Sequence, residues 1–204
     1  MKVMVRDIIL MLLIAFMGVE AHAVTADEIL TDATGRYQTV KSISAQFSMH
    51  DNSGMVSGNI VISGDRFHLE TPALKVWYDG RTQWTLITET NEVNVTEPTV
   101  EELQQVNPFA IISAFRNNYK ASLLKSTANE YKIQLVPISS SGVTSVILQL
   151  NRPTLYPKSV EIHSKNTSPI VINVKNVSEG KSLPIGAFMF NQSQYPEAEI
   201  IDLR

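Results

Sequence analysis

The sequence predicts an α+β protein that is mainly β, with one curved antiparallel sheet covered by an N-terminal helix and a short helical insert. Three observations carry that prediction. Apolar and polar residues alternate with period two along most of the chain, helical periodicity is confined to two segments, and turn residues punctuate the alternating runs. Such alternation gives each strand one apolar and one polar face, and an apolar face of that extent must curl, close or be covered. Nothing in the pattern supplies a second complete sheet, so the two helical segments are the available cover.

The first helical segment opens at Thr25-Ala26-Asp27-Glu28, a capping box with Thr25 as N-cap and Glu28 reaching back to it. Ile29, Ala33, Tyr37 and Val40 follow at helical spacing and predict one amphipathic helix ending near Val40. The period then becomes two. Ile43, Ala45, Phe47 and Met49 alternate with Ser42, Ser44, Gln46 and Ser48. Gly58, Ile60 and Ile62 alternate with Asn59 and Val61, and Phe67 and Leu69 with Arg66, His68 and Glu70. Asn52-Ser53-Gly54 and Ser63-Gly64-Asp65 are the turns between them. Lys75 to Asp79 and Thr82 to Thr88 form a hairpin at Asp79-Gly80, the strongest short hairpin signal in the chain, and Val93 and Val95 continue the meander.

The second helical segment begins at Pro98-Thr99-Val100-Glu101-Glu102, where Thr99 and Glu102 form another capping box, and Pro108 opens a further turn of helix. Phe109, Ile111, Ile112 and Phe115 make this insert unusually apolar for a connection between strands, as a lid over an apolar space would be. Strands resume at Ala121–Leu124, Tyr131–Val136, Val143–Leu150, Ser159–His163 and Ile170–Val174. Phe188 and Phe190 predict a last short strand, and the tail from Tyr195 to Arg204 reads as extended.

The first 23 residues set the compartment. Lys2 and Arg6 form a positive n-region, Ile8 to Met17 a short apolar core, and Ala21-His22-Ala23 a small-x-small cleavage site. This is the pattern of a secretory signal peptide, too short and wrongly flanked for a membrane span. Residues 1–23 are therefore expected to be removed, leaving residues 24–204 as a single domain. The chain contains no cysteine. It has no disulfide to hold it and no thiol to acylate, so the mature protein is expected to be a soluble, unanchored protein of a bacterial periplasm, stabilised by an ordinary core. A formal net charge of −3 and the absence of any basic stripe argue against a nucleic-acid partner.

Several segments resemble the family of periplasmic carriers that ferry lipoproteins to the outer membrane. Lys41-Ser42-Ile43-Ser44-Ala45-Gln46-Phe47 is similar to that family's first strand, and Gly58-Asn59-Ile60-Val61-Ile62, followed by Phe67, to its second. Tyr78-Asp79-Gly80-Arg81-Thr82-Gln83-Trp84 resembles its Asp-Gly hairpin closed by a Trp, the most specific piece. Asn107-Pro108-Phe109-Ala110-Ile111-Ile112 is similar to its helical segment, and Phe188-Met189-Phe190 with Ile201-Asp202-Leu203-Arg204 to its end. The resemblance implies an incomplete antiparallel barrel closed by helices over an apolar cavity. One departure stands out. The best-known carriers have an Arg-Pro pair between the second and third strands, whose Arg helps latch the lid, whereas the turn here reads Ser63-Gly64-Asp65-Arg66. By alternation with Phe67, Arg66 is expected to face outward.

A carrier of acylated lipoproteins must offset about 0.8 kcal/mol for each methylene kept from water, tens of kcal/mol for several chains. It needs an apolar lining and a mobile lid, and no catalytic apparatus. The expected lining is Phe47, Met49, Ile60, Ile62, Phe67, Leu69, Trp84 and Leu86 from the strands, with Phe109, Ile112 and Phe115 from the lid; the plain alternative for each is core packing. His50, His68 and His163 have no partners at metal-ligand spacing, and no nucleophile has a visible base. An enzyme, a metal site and a cofactor are not expected. The resemblance implies acylated lipoproteins as cargo, an inner-membrane lipoprotein-release complex that loads the protein, an outer-membrane acceptor, and action as a monomer. Two other readings stay open: a lipid- or lipoprotein-sensing regulatory module, and a carrier of another lipid such as a phospholipid or glycolipid.

Overall fold

The structure, a computed structural model, describes residues 23–52 and 54–204. The expected signal peptide therefore lies outside the described residues except for Ala23. Helix α1 (Ala26–Thr39) starts at the expected capping box: Thr25 Oγ1 accepts from the Glu28 N–H at 3.2 Å, and the Thr25 N–H donates to Glu28 Oε2 at 2.8 Å. Ala26, Ile29, Leu30, Ala33 and Tyr37 form its buried stripe, and Val40 caps its C-terminus.

Six strands follow: β1 (Ser42–Asp51), β2 (Gly54–Ser63), β3 (Arg66–Glu70), β4 (Leu74–Tyr78), β5 (Gln83–Ile87) and β6 (Glu92–Thr96). The helical insert is α2 (Val100–Val106), α3 (Pro108–Ser113) and α4 (Phe115–Asn118). Then come β7 (Tyr119–Ser126), β8 (Glu130–Pro137), β9 (Val143–Asn151), β10 (Pro157–Ser164), β11 (Ile170–Gly180) and a terminal β12 (Glu199–Asp202). All twelve strands join one sheet in the order β12-β6-β5-β4-β3-β2-β1-β11-β10-β9-β8-β7. Every pairing is antiparallel except β12 with β6, and the sheet stays open between its edges β12 and β7. It is the mainly β sheet with a helical cover that the alternation predicts, left open as the incomplete barrel implied by the resemblance would be.

Local chemistry explains the bends. At the β4–β5 turn, Asp79 Oδ1 accepts from the backbone N–H groups of Arg81 and Thr82 at 2.9 and 2.8 Å, while Gly80 takes φ 105°. In β2, a Cβ on Gly58 would collide with the carbonyl oxygen of Glu70 and stand 2.8 Å from the Phe47 ring, so only glycine lets the end of β3 cross there. Between Ser44 and Gln46 the β1–β11 register slips beside Asn176, which has φ 52° and whose Nδ2 donates to Gln46 Oε1 at 2.6 Å. This bulge sharpens the twist where the two halves of the sheet meet.

One face of the sheet carries the main core. Ile43, Ala45, Ile60, Ile62, Phe67, Leu69, Val76 and Tyr78 from β1–β4 join Ile133, Leu135, Val146, Leu148, Val160 and Ile172 from β8–β11 beneath α1 and the insert. A second cluster lies on the opposite face, where Trp77, Leu86, Val93 and Val95 are covered by Ala198, with Trp84, Phe190 and Tyr195 at its margin. The cover is the C-terminal tail, and three expectations change because of it. Phe188 belongs to a 3-10 turn (Ile185–Phe188) rather than a strand, because the tail leaves β11 and crosses the outer face instead of pairing with it. The terminal strand is Glu199–Asp202, added in parallel to β6. His68, on the polar side of the β3 alternation, is half-buried rather than solvated and stacks on Trp77 at 5.1 Å.

The His68 site makes a pH-dependent contribution. Its Nε2 lies 3.4 Å from Glu70 Oε1 without hydrogen-bond geometry, and Lys75 also faces it. Burial holds the imidazole below its ordinary range; the Glu70 charge opposes this and the Lys75 charge adds to it. In the unfolded chain the ring takes up a proton as pH falls through its ordinary value of 6.5, while the folded ring does so only at lower pH. Stability contributed here is therefore present above that value and declines toward acid. Urea unfolding at about pH 7.5 and pH 5.5 is expected to show a smaller acid-side loss for His68→Gln than for the natural chain; equal losses would remove His68 as the cause.

Candidate functional site

The two helical segments meet over the main apolar face, and an aromatic trio joins them. Tyr37, on the last turn of α1, stacks on Tyr156 with centroids 5.5 Å apart and meets Phe109 of α3 edge-on at 5.5 Å. Phe109 and Tyr156 close the trio at 6.3 Å. The Tyr37 hydroxyl donates to the Leu155 carbonyl at 2.6 Å, and burial, reinforced by Tyr156, pushes this phenol well above its ordinary range. It remains a neutral donor. Outside the trio, Arg36 and the Tyr156 hydroxyl both reach Glu179 Oε1 at 2.8 Å, holding that carboxyl below its usual range. Helix α1 is thereby fixed to the ends of β10 and β11.

The insert is held differently. Phe109, Ile111, Ile112 and Phe115 are all at most 3 % exposed, so its attachment is chiefly apolar. Among the described residues its polar links to α1 are few: Arg116 donates to Thr31 Oγ1 at 2.6 Å, and the Thr34 hydroxyl lies 3.3 Å from the Ile112 carbonyl while also bonding that of Leu30. Arg66 takes no part in this attachment. As alternation predicts, it faces outward, with its guanidinium 5.4 Å from the Phe188 ring on the opposite face.

Beside the aromatic trio, a pocket of about 310 Å³ opens between insert and sheet. Val40, Ile43 and Ile62 give it apolar walls from the C-cap of α1, β1 and β2, and Leu103, Phe109 and Ala110 complete them from α2 and α3. Its remaining lining is polar or small: Gly64 and Asp65 in the β2–β3 turn, Tyr78 and Gly80 at the hairpin, and Asn107 and Ser113 from the insert. Asn107 Oδ1 is engaged in capping α3, accepting from the Phe109 N–H at 3.0 Å. The Tyr78 phenol is raised above its ordinary range, first by burial and then by the charges of Asp65 and Asp79. Such a space suits an apolar group whose polar end remains at the edge.

Of the residues expected to line a cavity, Ile62 and Phe109 border this pocket. Ile60, Phe67, Leu69, Ile112 and Phe115 are buried in the same core cluster, and Phe47 and Met49 pack half-buried at its margin. Phe47 also borders a wider, mostly polar hollow of about 560 Å³ with Gly58, Glu70 and Lys175. Trp84 and Leu86 are corrected: they lie on the opposite face, in the cluster under the C-terminal tail. The hairpin register is the cause, since it sets Trp84 opposite Trp77 and Leu86 opposite Lys75, leaving Gln83, Thr85 and Ile87 to share a face with Tyr78, Val76 and Leu74. Sequence reasoning passed over Tyr37, Val40, Ile43, Tyr78 and Leu103 as pocket residues. The first three were visible as members of apolar stripes, but nothing local indicated that those stripes converge.

Comparison with known proteins gives a family and a fold. Residues 20–165 match the family model described as outer membrane lipoprotein carrier protein LolA. No curated protein matches the chain. Among solved structures, an uncharacterized conserved protein from Thermus thermophilus superposes with a TM-score of 0.58 at 10% identity, covering 87% of this chain and 98% of that one. A DUF1329 family protein from Desulfovibrio piger gives 0.50 at 11% identity, covering 83% and 98%. A LolA superfamily protein from Nitrosomonas europaea gives 0.47 at 17% identity, covering 82% and 99%. At these identities the structural likeness concerns the fold alone.

Proposed function

The chain belongs to the outer membrane lipoprotein carrier family, and on that footing we propose that it is a periplasmic carrier that binds the acyl chains of lipoproteins and transfers them towards the outer membrane. The observation that carries this reading is the pocket of about 310 Å³ between the sheet's apolar face and a helical insert that buries Phe109, Ile111, Ile112 and Phe115. That volume is at the lower end of ordinary ligand sites, which run from about 300 to 1,000 Å³. Cargo with several acyl chains requires the insert to move. The contacts permit it: Phe109, Ile111, Ile112 and Phe115 make contacts that acyl chains can replace in kind, the described polar links to α1 are few, and the buried bond from the Tyr119 hydroxyl to Gln104 Oε1 can act as a tether between α2 and β7. As the insert lifts, Ile60, Phe67, Leu69, Ile112 and Phe115 become lining, with Phe47 and Met49 at the margin. Binding and release then need no covalent step, because each methylene gained from water is balanced against core contact given up.

The signal-peptide pattern of residues 1–23 supports the compartment, and the cargo implies an inner-membrane release complex as loader and an outer-membrane acceptor. The test is mass spectrometry of what co-purifies with the protein from its native cell envelope. Acylated lipoprotein in about one-to-one amount is expected. Free phospholipid or glycolipid in its place would overturn the cargo, and an empty protein bound to a membrane regulator would overturn the carrier role in favour of sensing.

A further inference from the structure

The pocket has a charged edge that the carrier reading does not use. Asp65 lines it from the β2–β3 turn, is exposed, and makes no hydrogen bond or ion pair among the described residues. No Lys, Arg or His is in the pocket lining among the described residues. The nearby cations are engaged or directed elsewhere: Arg66 lies over the Phe188 ring on the other face, and Arg81 pairs with Glu97 at 3.1 Å. Lys41, next to Val40, is exposed and does not line the pocket. The Tyr78 hydroxyl, near enough to Asp65 to feel its charge, has no hydrogen-bond partner among the described residues and opens onto the pocket. The edge thus presents one uncompensated carboxylate and one free hydroxyl above apolar walls.

We infer that the pocket selects acylated polypeptides whose residues beside the acyl anchor carry a positive charge, with Asp65 as the residue that discriminates against a negative one. This rests on the carrier reading and adds a charge requirement to it. The apolar walls fix where the acyl chain enters, so the polar end of the cargo is held at the edge, within a few ångströms of Asp65. There a unit charge is only partly screened, and a cation gains what an anion of the same shape loses. For matched ligands the difference is expected to be about tenfold in affinity.

The test uses the purified full chain with an uncharged, environment-sensitive apolar dye in the pocket. Two competitors share chain length and amide linkage and differ in charge: N-lauroyl-lysine amide and N-lauroyl-glutamate amide. The lysine compound is expected to displace the dye at about one-tenth the concentration of the glutamate compound. Asp65→Asn is expected to bring the two within about twofold. Glu161→Gln, which removes the same charge from the opposite face, is expected to leave the tenfold preference intact. Equal competition in the natural chain, or a Glu161→Gln effect as large as that of Asp65→Asn, overturns the inference while leaving acyl binding standing. If neither compound displaces the dye, the carrier reading fails, and the inference with it.

Discussion

Replacing Phe67 by Ala is expected to cost about 3–5 kcal/mol of folding stability, the range for emptying a buried aromatic site. Phe67 is 1 % exposed, lies opposite both Ile62 and Tyr78 in the β2–β3–β4 ladder, and packs its ring 5.4 Å from that of Tyr78. It does not border the pocket, but both of its cross-strand partners do. The vacated volume lies directly behind pocket residues, so the loss of stability should be accompanied by altered dye binding. Phe47→Ala provides the contrast. Its ring is half-buried at the margin of the core and covers Gly58, so the neighbouring chain can partly close over the gap. Its cost is expected to be at most about half that of Phe67→Ala. Urea denaturation of both variants measures the ordering, and a Phe47 variant as unstable as the Phe67 variant would contradict the assigned faces.

The pair also illustrates what the sequence can and cannot say. Period-two alternation placed Phe67 and Ile62 on one face because each strand has a single apolar face in that half of the sheet. Capping boxes located Thr25 and Thr99 because they are local hydrogen-bond patterns, complete within four residues. The same alternation misassigned Trp84 and Leu86. In β4 both faces are apolar, Val76 and Tyr78 meeting the main core and Trp77 the tail, whereas β5 and β6 turn their one apolar face, Trp84 and Leu86 with Val93 and Val95, to the tail. Alternation within β5 groups Trp84 with Leu86 but does not say which side of the sheet they take; the register through the Asp79–Thr82 turn decides. Tyr37 and Tyr156 were illegible as partners for a different reason. They are 119 positions apart, and only the closing of the sheet around α1 stacks them. The pocket is assembled by such long-range convergence, so its individual stripes are visible in the sequence but its location is not.

The tail, the element the sequence described least well, supports the other large prediction. Deleting residues 182–204 should uncover Trp77, Leu86, Val93 and Val95 while leaving α1 and the insert in place. Each such side chain returned to water costs about 1.5–3 kcal/mol, so together the losses approach the whole stability of a typical domain, about 5–15 kcal/mol. The deletion also removes Phe188 from beneath Arg66, Tyr195 from Lys75 and Trp77, and β12 from the edge of β6. Strands β4–β6 would then have one wet apolar face and an exposed edge, an arrangement prone to fraying and self-association. The chain has two tryptophans, Trp77 and Trp84, and both belong to this cluster, so their fluorescence reports on it directly. The expected result is tryptophan emission shifted to the red in the absence of denaturant, with a marked loss of urea resistance. Phe188→Ala and Tyr195→Ala in the full-length chain keep the comparison informative if the deletion does not fold; each should shift the emission in the same direction by a smaller amount. Unchanged emission in both point variants would mean that the tail does not cover the outer face. The order of losses discriminates further. If the lidded core retained its dye-binding pocket after the tryptophan cluster had melted, the two faces of this sheet would be separate cooperative units, one for cargo and one for closing the edge.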